Sequence, residues 1–168
     1  MLRIAICDDE KVICQQIEDI LADISENINE KFEIELFYSG EELCEYLFEG
    51  NSYDLIFLDI ELCEMNGVEV GRKIREEMND ESTQIVYVSG KESYAMDLFE
   101  VRPLNFLVKP ANRDKIELVV IKAIKLFGNK NHFFEYKNNN INFSVPLGNI
   151  LYFESDGRKV NIVLIDET

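Results

Sequence analysis

An alternation repeated five times limits what this chain can fold into more than any other feature. Short apolar runs stand at residues 2–7, 32–38, 55–59, 84–89 and 105–108, and each gives way to a segment of helical period. In residues 10–28 the apolar positions Ile13, Ile17, Ile20, Leu21, Ile24 and Ile28 form one stripe. Ser39, with Glu42 three residues on, has the spacing of a capping box and opens the next helix. Residues 66–78 read as a third helix and 95–100 as a short fourth. Asn112 caps a fifth, which carries Ile116, Val120, Ala123, Ile124 and Phe127 on one side. Five strand–helix repeats imply a doubly wound α/β fold, with a five-stranded parallel sheet covered on both faces. The runs "LIFL" and "IVYV" are apolar throughout, as strands buried on both faces are.

After Phe127 the pattern changes. "GNKNH" reads as a polar hinge, and "HFFEYK", "INFSVPL", "ILYFES" and "KVNIVLI" follow as short β-like runs. The expected organisation is therefore an α/β domain over residues 1–127 and a short all-β segment of an incomplete second domain over 128–168. A stretch of about 40 residues is too small to bury a sound core alone. The chain is expected to be cut short there, or to lean on a partner, and its free strand edges to self-associate or admit proteases.

Charge divides the same way. The chain carries 33 acids and 17 bases, a net of −16, and residues 128–168 hold only five acids and four bases. The first region is thus too acidic to bind nucleic acid by itself, because phosphate neutralisation requires Lys and Arg. It favours cations or basic partners. No apolar run is long enough to cross a bilayer. "MLRIAIC" meets acids before a signal-peptide core can form, so a cytoplasmic protein without membrane attachment is expected. Cys7, Cys14, Cys44 and Cys63 lack paired ligand spacing and the only histidine is His132, which argues against zinc and for buried or idle thiols.

In a parallel sheet, ligands bind at the carboxyl ends of the strands. The first strand runs into Asp8 and Asp9, the third ends in Asp59, the fourth in Ser89, and the fifth runs into Lys109. Each has a plainer reading: a helix cap, a loop cap, a turn, a surface lysine. All of them on one sheet edge would be a fourfold coincidence. As a group they have a chemical logic. Mg²⁺ takes a few carboxylate oxygens and completes its shell with water and phosphate oxygens. Asp59 can serve as a nucleophile toward phosphorus. Mg²⁺ and Lys109 would neutralise the opposing charges, and Ser89 could donate to a phosphoryl oxygen.

Across its whole length, the region 1–127 resembles a response-regulator receiver domain, on the pieces "ICDDE", "LIFLDIELCEMNGVEVGRKIR", "IVYVSG" and "FLVKP". The resemblance implies a flavodoxin-like sheet of order 2-1-3-4-5 flanked by five helices. It implies that Asp59 takes a phosphoryl group from a sensor kinase's histidine. Asp9 and Asp59 would ligate Mg²⁺ directly, Asp8 through water, and the Glu61 carbonyl would join them. Ser89 and Lys109 would bind phosphoryl oxygens. Phe106, three before Lys109, falls at the family's rotating aromatic switch; the alternative is a permanent core residue. Glu61 and Lys91 stand where the family tunes loss of the phosphoryl group, as a pair across the site or as a solvated rim. Many receivers have proline in the loop after the phosphorylated aspartate, where this chain has Cys63 and Glu64.

The second region resembles the beginning of a LytTR-type DNA-binding domain, most clearly at "NILYFES". By that resemblance "DGRK" forms the first DNA-reading loop, so Arg158 and Lys159 would touch promoter DNA in a full-length protein only. A hairpin turn with two solvated bases is the competing reading.

The implied function is a two-component response regulator without turnover beyond Mg²⁺-dependent self-phosphorylation and dephosphorylation. Phosphorylation would draw Ser89 toward the phosphoryl group, let Phe106 turn inward and alter the face of the fourth helix, fifth strand and fifth helix. A homodimer would then bring two output domains onto DNA. A haloacid-dehalogenase-like phosphatase is the competing enzyme: it too uses an Asp nucleophile, Mg²⁺ and Lys, but needs an Asp two residues on, where Glu61 stands. A flavodoxin-like binding module would need a hydroxyl- or glycine-rich phosphate loop in place of "CDDEK".

Overall fold

β1 (Leu2–Cys7) lies at the interior of the sheet, paired in parallel with β2 (Phe32–Phe37) on one side and β3 (Leu55–Asp59) on the other. β4 (Gln84–Ser89) adds to β3 and β5 (Asn105–Val108) to β4, which gives the parallel order β2-β1-β3-β4-β5. This is the expected architecture. A computed structural model of the chain describes residues 1–91, 98–130, 133–138, 141–157 and 159–165. The expected helix at 95–100 falls partly on 92–97, outside the described residues.

β3 is buried at all five positions, and edge strand β2 at one of six. That difference explains why "LIFL" shows no alternation while "FEIELF" does. The pleat sends Ala5, Cys7, Ile56, Leu58, Ile85 and Tyr87 into one apolar layer. Leu43, Cys44 and Leu47 of α2 (Gly40–Phe48), with Val70 of α3 (Gly67–Arg72), fill that layer. The opposite layer holds Ile4, Ile6, Leu55, Phe57, Val86 and Val88. Ile17, Leu21 and Ile24 of α1 (Lys11–Ile28) are buried, as are Ile116, Val119, Val120 and Ala123 of α4 (Arg113–Lys130). Arg113 of α4 reaches Asp23 of α1 at 2.7 Å.

Local signals explain the helix ends. The Ser39 hydroxyl accepts from Glu42 N at 3.1 Å, but the Glu42 carboxylate returns to Tyr38 N rather than to Ser39 N, so only half of the expected box forms. The complete capping box is at Asn66 and Glu69, which cap α3 reciprocally. Asn112 caps α4 through Lys115 N at 3.0 Å. Residues 66–78 are not one regular helix. After Arg72 the backbone continues as a π-helical turn, Lys73–Glu77, closed by Met78 N on Lys73 O at 3.0 Å. The hinge expected at 128 is helical through Lys130: "GNK" contains no proline, and one glycine costs a helix only about 1 kcal/mol.

The chain divides into two compact units, residues 1–123 and 124–168. Ala123 is the last buried residue among those described. In the second unit β6 (Phe133–Asn138) pairs antiparallel with β7 (Ile141–Pro146), and β8 (Ile150–Asp156) with β9 (Lys159–Leu164). Phe134 meets Phe153 edge-on at 5.0 Å, yet Leu151, Tyr152, Phe153, Val160 and Leu164 are exposed.

Gly67 sets how closely α3 sits on the end of β3. A Cβ there would stand 2.0 Å from the backbone oxygen of Asp59. The Gly67 carbonyl in turn accepts from the buried Tyr87 hydroxyl at 3.1 Å. Gly67→Ala is expected to destabilise the first unit by about 1–3 kcal/mol through overpacking against backbone. A urea midpoint by circular dichroism equal to that of the parent would refute this.

Candidate functional site

Because all five strands are parallel, their carboxyl ends share one edge of the sheet. Asp8 follows the last residue of β1, Asp59 closes β3, Ser89 closes β4, and Lys109 follows β5. The structure therefore brings together the residues that the sequence placed on that edge. Asp8, Asp59 and Ser89 are 1%, 3% and 0% exposed, and Asp9 is half-buried. One carboxylate oxygen from each of Asp8, Asp9 and Asp59 lies within 4.8 Å of the others.

Lys109 partly offsets this concentration of negative charge. Its ammonium lies 2.7 Å from Asp8 Oδ2, 3.0 Å from Asp59 Oδ2 and 3.8 Å from Glu10 Oε1. The contact to Asp59 is a directed hydrogen bond. That to Asp8 is not: Oδ2 is buried and has no hydrogen-bond partner in favourable geometry, so the two meet as an ion pair only. Asp8 Oδ1 accepts from Glu10 N at 2.9 Å, and Asp59 Oδ1 from Glu61 N at 3.2 Å.

Burial pushes the Asp8 carboxyl above its ordinary value; Lys109 and the Glu10 N–H pull it back, and the Asp59 charge raises it further, leaving it raised. Lys109 is pulled down by burial, but its close contacts with the Asp8 and Asp59 carboxylates and their charges prevail, so it too is raised. An all-oxygen donor set with one buried oxygen lacking a directed bond fits a hard divalent cation.

The remaining residues frame the site. Ser89 Oγ accepts from Lys91 N at 3.1 Å, which leaves its own proton to donate. The Lys91 ammonium is bonded to the Glu61 carboxylate, so the two pair across the site. Phe106 stands opposite Tyr87 in the sheet, half-buried, and borders a cavity of 340 Å³ with Leu98, Phe99, Arg102 and Pro103. Lys159 opens β9 and is exposed, and Arg158 lies outside the described residues.

Sequence reasoning missed one contact. The Cys63 thiol donates to Asp9 Oδ2 at 2.8 Å and is exposed, unlike the other three cysteines. Burial pushes the thiols of Cys14 and Cys44 up to about 11, and that of Cys7 higher still. Those three are the buried thiols of the expectation, and Cys63 is exposed. The only signal was its place in the loop after Asp59.

The profile described as response regulator receiver domain matches residues 4–121. The transcriptional regulatory protein LytR of Staphylococcus aureus is 32% identical over 124 residues, 73% of this chain and 47% of that protein. The sensory transduction protein LytT of Oceanobacillus iheyensis is 26% identical over 129 residues, 77% of this chain and 50% of that one. The chain thus spans about half the length of these curated relatives. Among solved structures, the response regulator TrrA of Thermotoga maritima in complex with Mg²⁺-BeF is 32% identical, with a TM-score of 0.62 over 73% of this chain and 99% of that one. The response regulatory domain of mrkE from Klebsiella pneumoniae shares the fold at 23% identity, with a TM-score of 0.65 over 76% and 98%.

Replacing Lys109 by methionine leaves Asp8 and Asp59 buried without their counter-charge. A loss of about 3 kcal/mol is expected at neutral pH without divalent cations. The deficit should shrink as pH falls through the raised value of Asp8, because a protonated carboxyl needs no counter-charge. Urea unfolding of both proteins at two pH values checks this; a deficit that grows on acidification would contradict it.

Proposed function

Because the chain belongs to the response regulator receiver domain family, we propose that it is a cytoplasmic phospho-accepting switch in which Asp59 receives a phosphoryl group from a histidine of a sensor kinase. The observation that carries this reading is the Lys109 ammonium held between Asp8 and Asp59 beside a third carboxylate. A carboxylate attacking a phosphoryl group must overcome repulsion between two anions, and this site supplies positive charge on the nucleophile itself.

Asp9 and Asp59 would hold Mg²⁺ directly, Asp8 through water, and the Glu61 carbonyl would complete the protein's share. When bound, the ion would supply positive charge that offsets the repulsion between the carboxylate and the phosphoryl group. The chain's own groups do the rest. An Asp59 oxygen donates a lone pair to phosphorus as the donor's P–N bond breaks, and the leaving imidazole takes its proton from solvent. Glu61 N–H and Lys109 orient the Asp59 carboxylate. The Ser89 hydroxyl and the Lys109 ammonium then bind the new phosphoryl oxygens.

The switch follows from differential contact, since a phosphoryl group shifts an equilibrium only by binding one state better. Ser89 moving toward the phosphoryl group would free space beside β4, and the Phe106 ring would turn into it, favouring a homodimer. Residues 128–168 would be the beginning of a LytTR-type output domain, with Arg158 and Lys159 reaching promoter DNA in the full-length protein; the relatives' names as transcriptional regulators support this. The described residues contain no helix long and apolar enough to cross a membrane.

The phosphatase alternative is disfavoured by a specific contact. Its acid–base residue would be Glu61, whose carboxylate is tied to Lys91. The matching family is the receiver, which supports the switch.

Incubation with Mg²⁺ and acetyl phosphate is expected to add one phosphoryl group by intact mass, and none after Asp59→Asn. No adduct on the parent, or an equal adduct on the variant, defeats the proposal. Steady turnover of a small phosphate ester without an adduct would favour the phosphatase.

A further inference from the structure

Arg75 lies on the π-helical turn after α3 and is 7% exposed. Arginine is rarely buried without a carboxylate partner. Here no carboxylate among the described residues lies within 4.0 Å of it; all three of its bonds go to backbone carbonyls. Nε donates to Val101 O at 2.9 Å, Nη1 to Asp80 O at 2.5 Å and Nη2 to Thr83 O at 2.8 Å. The neighbouring Asp80 carboxylate is turned to other work, accepting from the backbone N–H of Ser82 at 2.8 Å and of Thr83 at 3.0 Å. The guanidinium therefore ties the π turn to the entry of β4 and to the turn that precedes β5.

The tie to Val101 matters for the site. Val101 is fully buried, and Gly71, one helical turn before Arg75, presses on it: a Cβ at Gly71 would lie 2.8 Å from Val101 Cγ1 and 2.0 Å from the Tyr87 hydroxyl. Tyr87 pairs with Phe106 across β4 and β5, two residues before Ser89. Leu104 N on Ile85 O at 2.7 Å then fixes the start of β5. The turn that carries these anchors also supplies Leu98, Phe99, Arg102 and Pro103, which line the cavity beside Phe106. An extra residue in a helical turn costs regular hydrogen bonds, and such turns recur at functional sites. This one places a cation where it grips the wall of that cavity.

We propose that Arg75 is a positioning residue that holds the turn at residues 98–104, so that a change at Ser89 and Phe106 is transmitted to the surface of that turn rather than absorbed by it. The inference rests on the phospho-switch reading above. It requires the planar three-way fork of arginine, since lysine is a single point donor that can satisfy only part of the set.

The chain contains no tryptophan, so Phe106→Trp places a sole tryptophan, excited selectively above the tyrosine band, at the switch position. In that background the emission is followed on addition of Mg²⁺ and acetyl phosphate, with the adduct at Asp59 measured by mass. Arg75→Met and Arg75→Lys are each combined with it. The expected result is an unchanged adduct in both, with the phosphorylation-dependent emission equilibrium displaced by about 2- to 30-fold, the span over which single positions modulate coupling. An emission response equal to the parent's in both variants overturns the proposal. So does unfolding of both, judged by circular dichroism, because Arg75 would then be a structural tie only. Absence of the adduct on the wild-type chain would sink the phospho-switch reading itself, and the proposal with it.

Discussion

Everything at the site depends on one geometric constraint: parallel strands end on the same side. A chain that lays five strands side by side in one direction gathers whatever follows each of them into one place, across 50 residues of sequence in the case of Asp59 and Lys109. Three carboxylates collected in this way would repel one another and push the edge apart. The ammonium of Lys109 holds them, and because it arrives on β5, the last strand added to the sheet, the site is complete only when the whole sheet is. Folding and function are thereby linked, since the site draws on groups at the ends of both the first strand and the fifth.

The same constraint accounts for what could be read from the residues alone. β1, β3 and β4 were legible to the residue because buried parallel strands are near-continuous apolar runs, β5 was legible as a short run at the sheet edge, and the acids, hydroxyl and lysine at their ends break those runs abruptly. α1 was legible as a stripe, although Ile13, Ile20 and Ile28 proved half-buried and Cys14 took a core position. What stayed hidden depends on three-dimensional approach. The capping box at Asn66 is a short local pattern inside a loop that drew attention for its chemistry. The π-helical turn leaves no mark on an apolar period, and Arg75, as a charged residue, reads as solvent-facing. Cys63 touching Asp9 spans 54 positions and has no sequence signal except proximity to Asp59.

The second unit marks a different limit. Its strand pattern was clear, and both hairpins form with the expected alternation of turns and runs. The two hairpins leave large apolar side chains such as Leu151 and Val160 in solvent. A pleated pair of strands has two faces, and a two-stranded hairpin covers neither by itself.

The unequal charge of the two units also bears on how copies of the chain meet. Fifteen of the sixteen net negative charges lie in residues 1–127, so two such bodies approach each other uphill until the solvent's ions intervene. At physiological ionic strength that field decays within about 8 Å, whereas in dilute buffer it reaches several times farther. Any pairing of the first unit is therefore favoured by added salt, and neutralising even one carboxylate per copy lowers the same barrier from within.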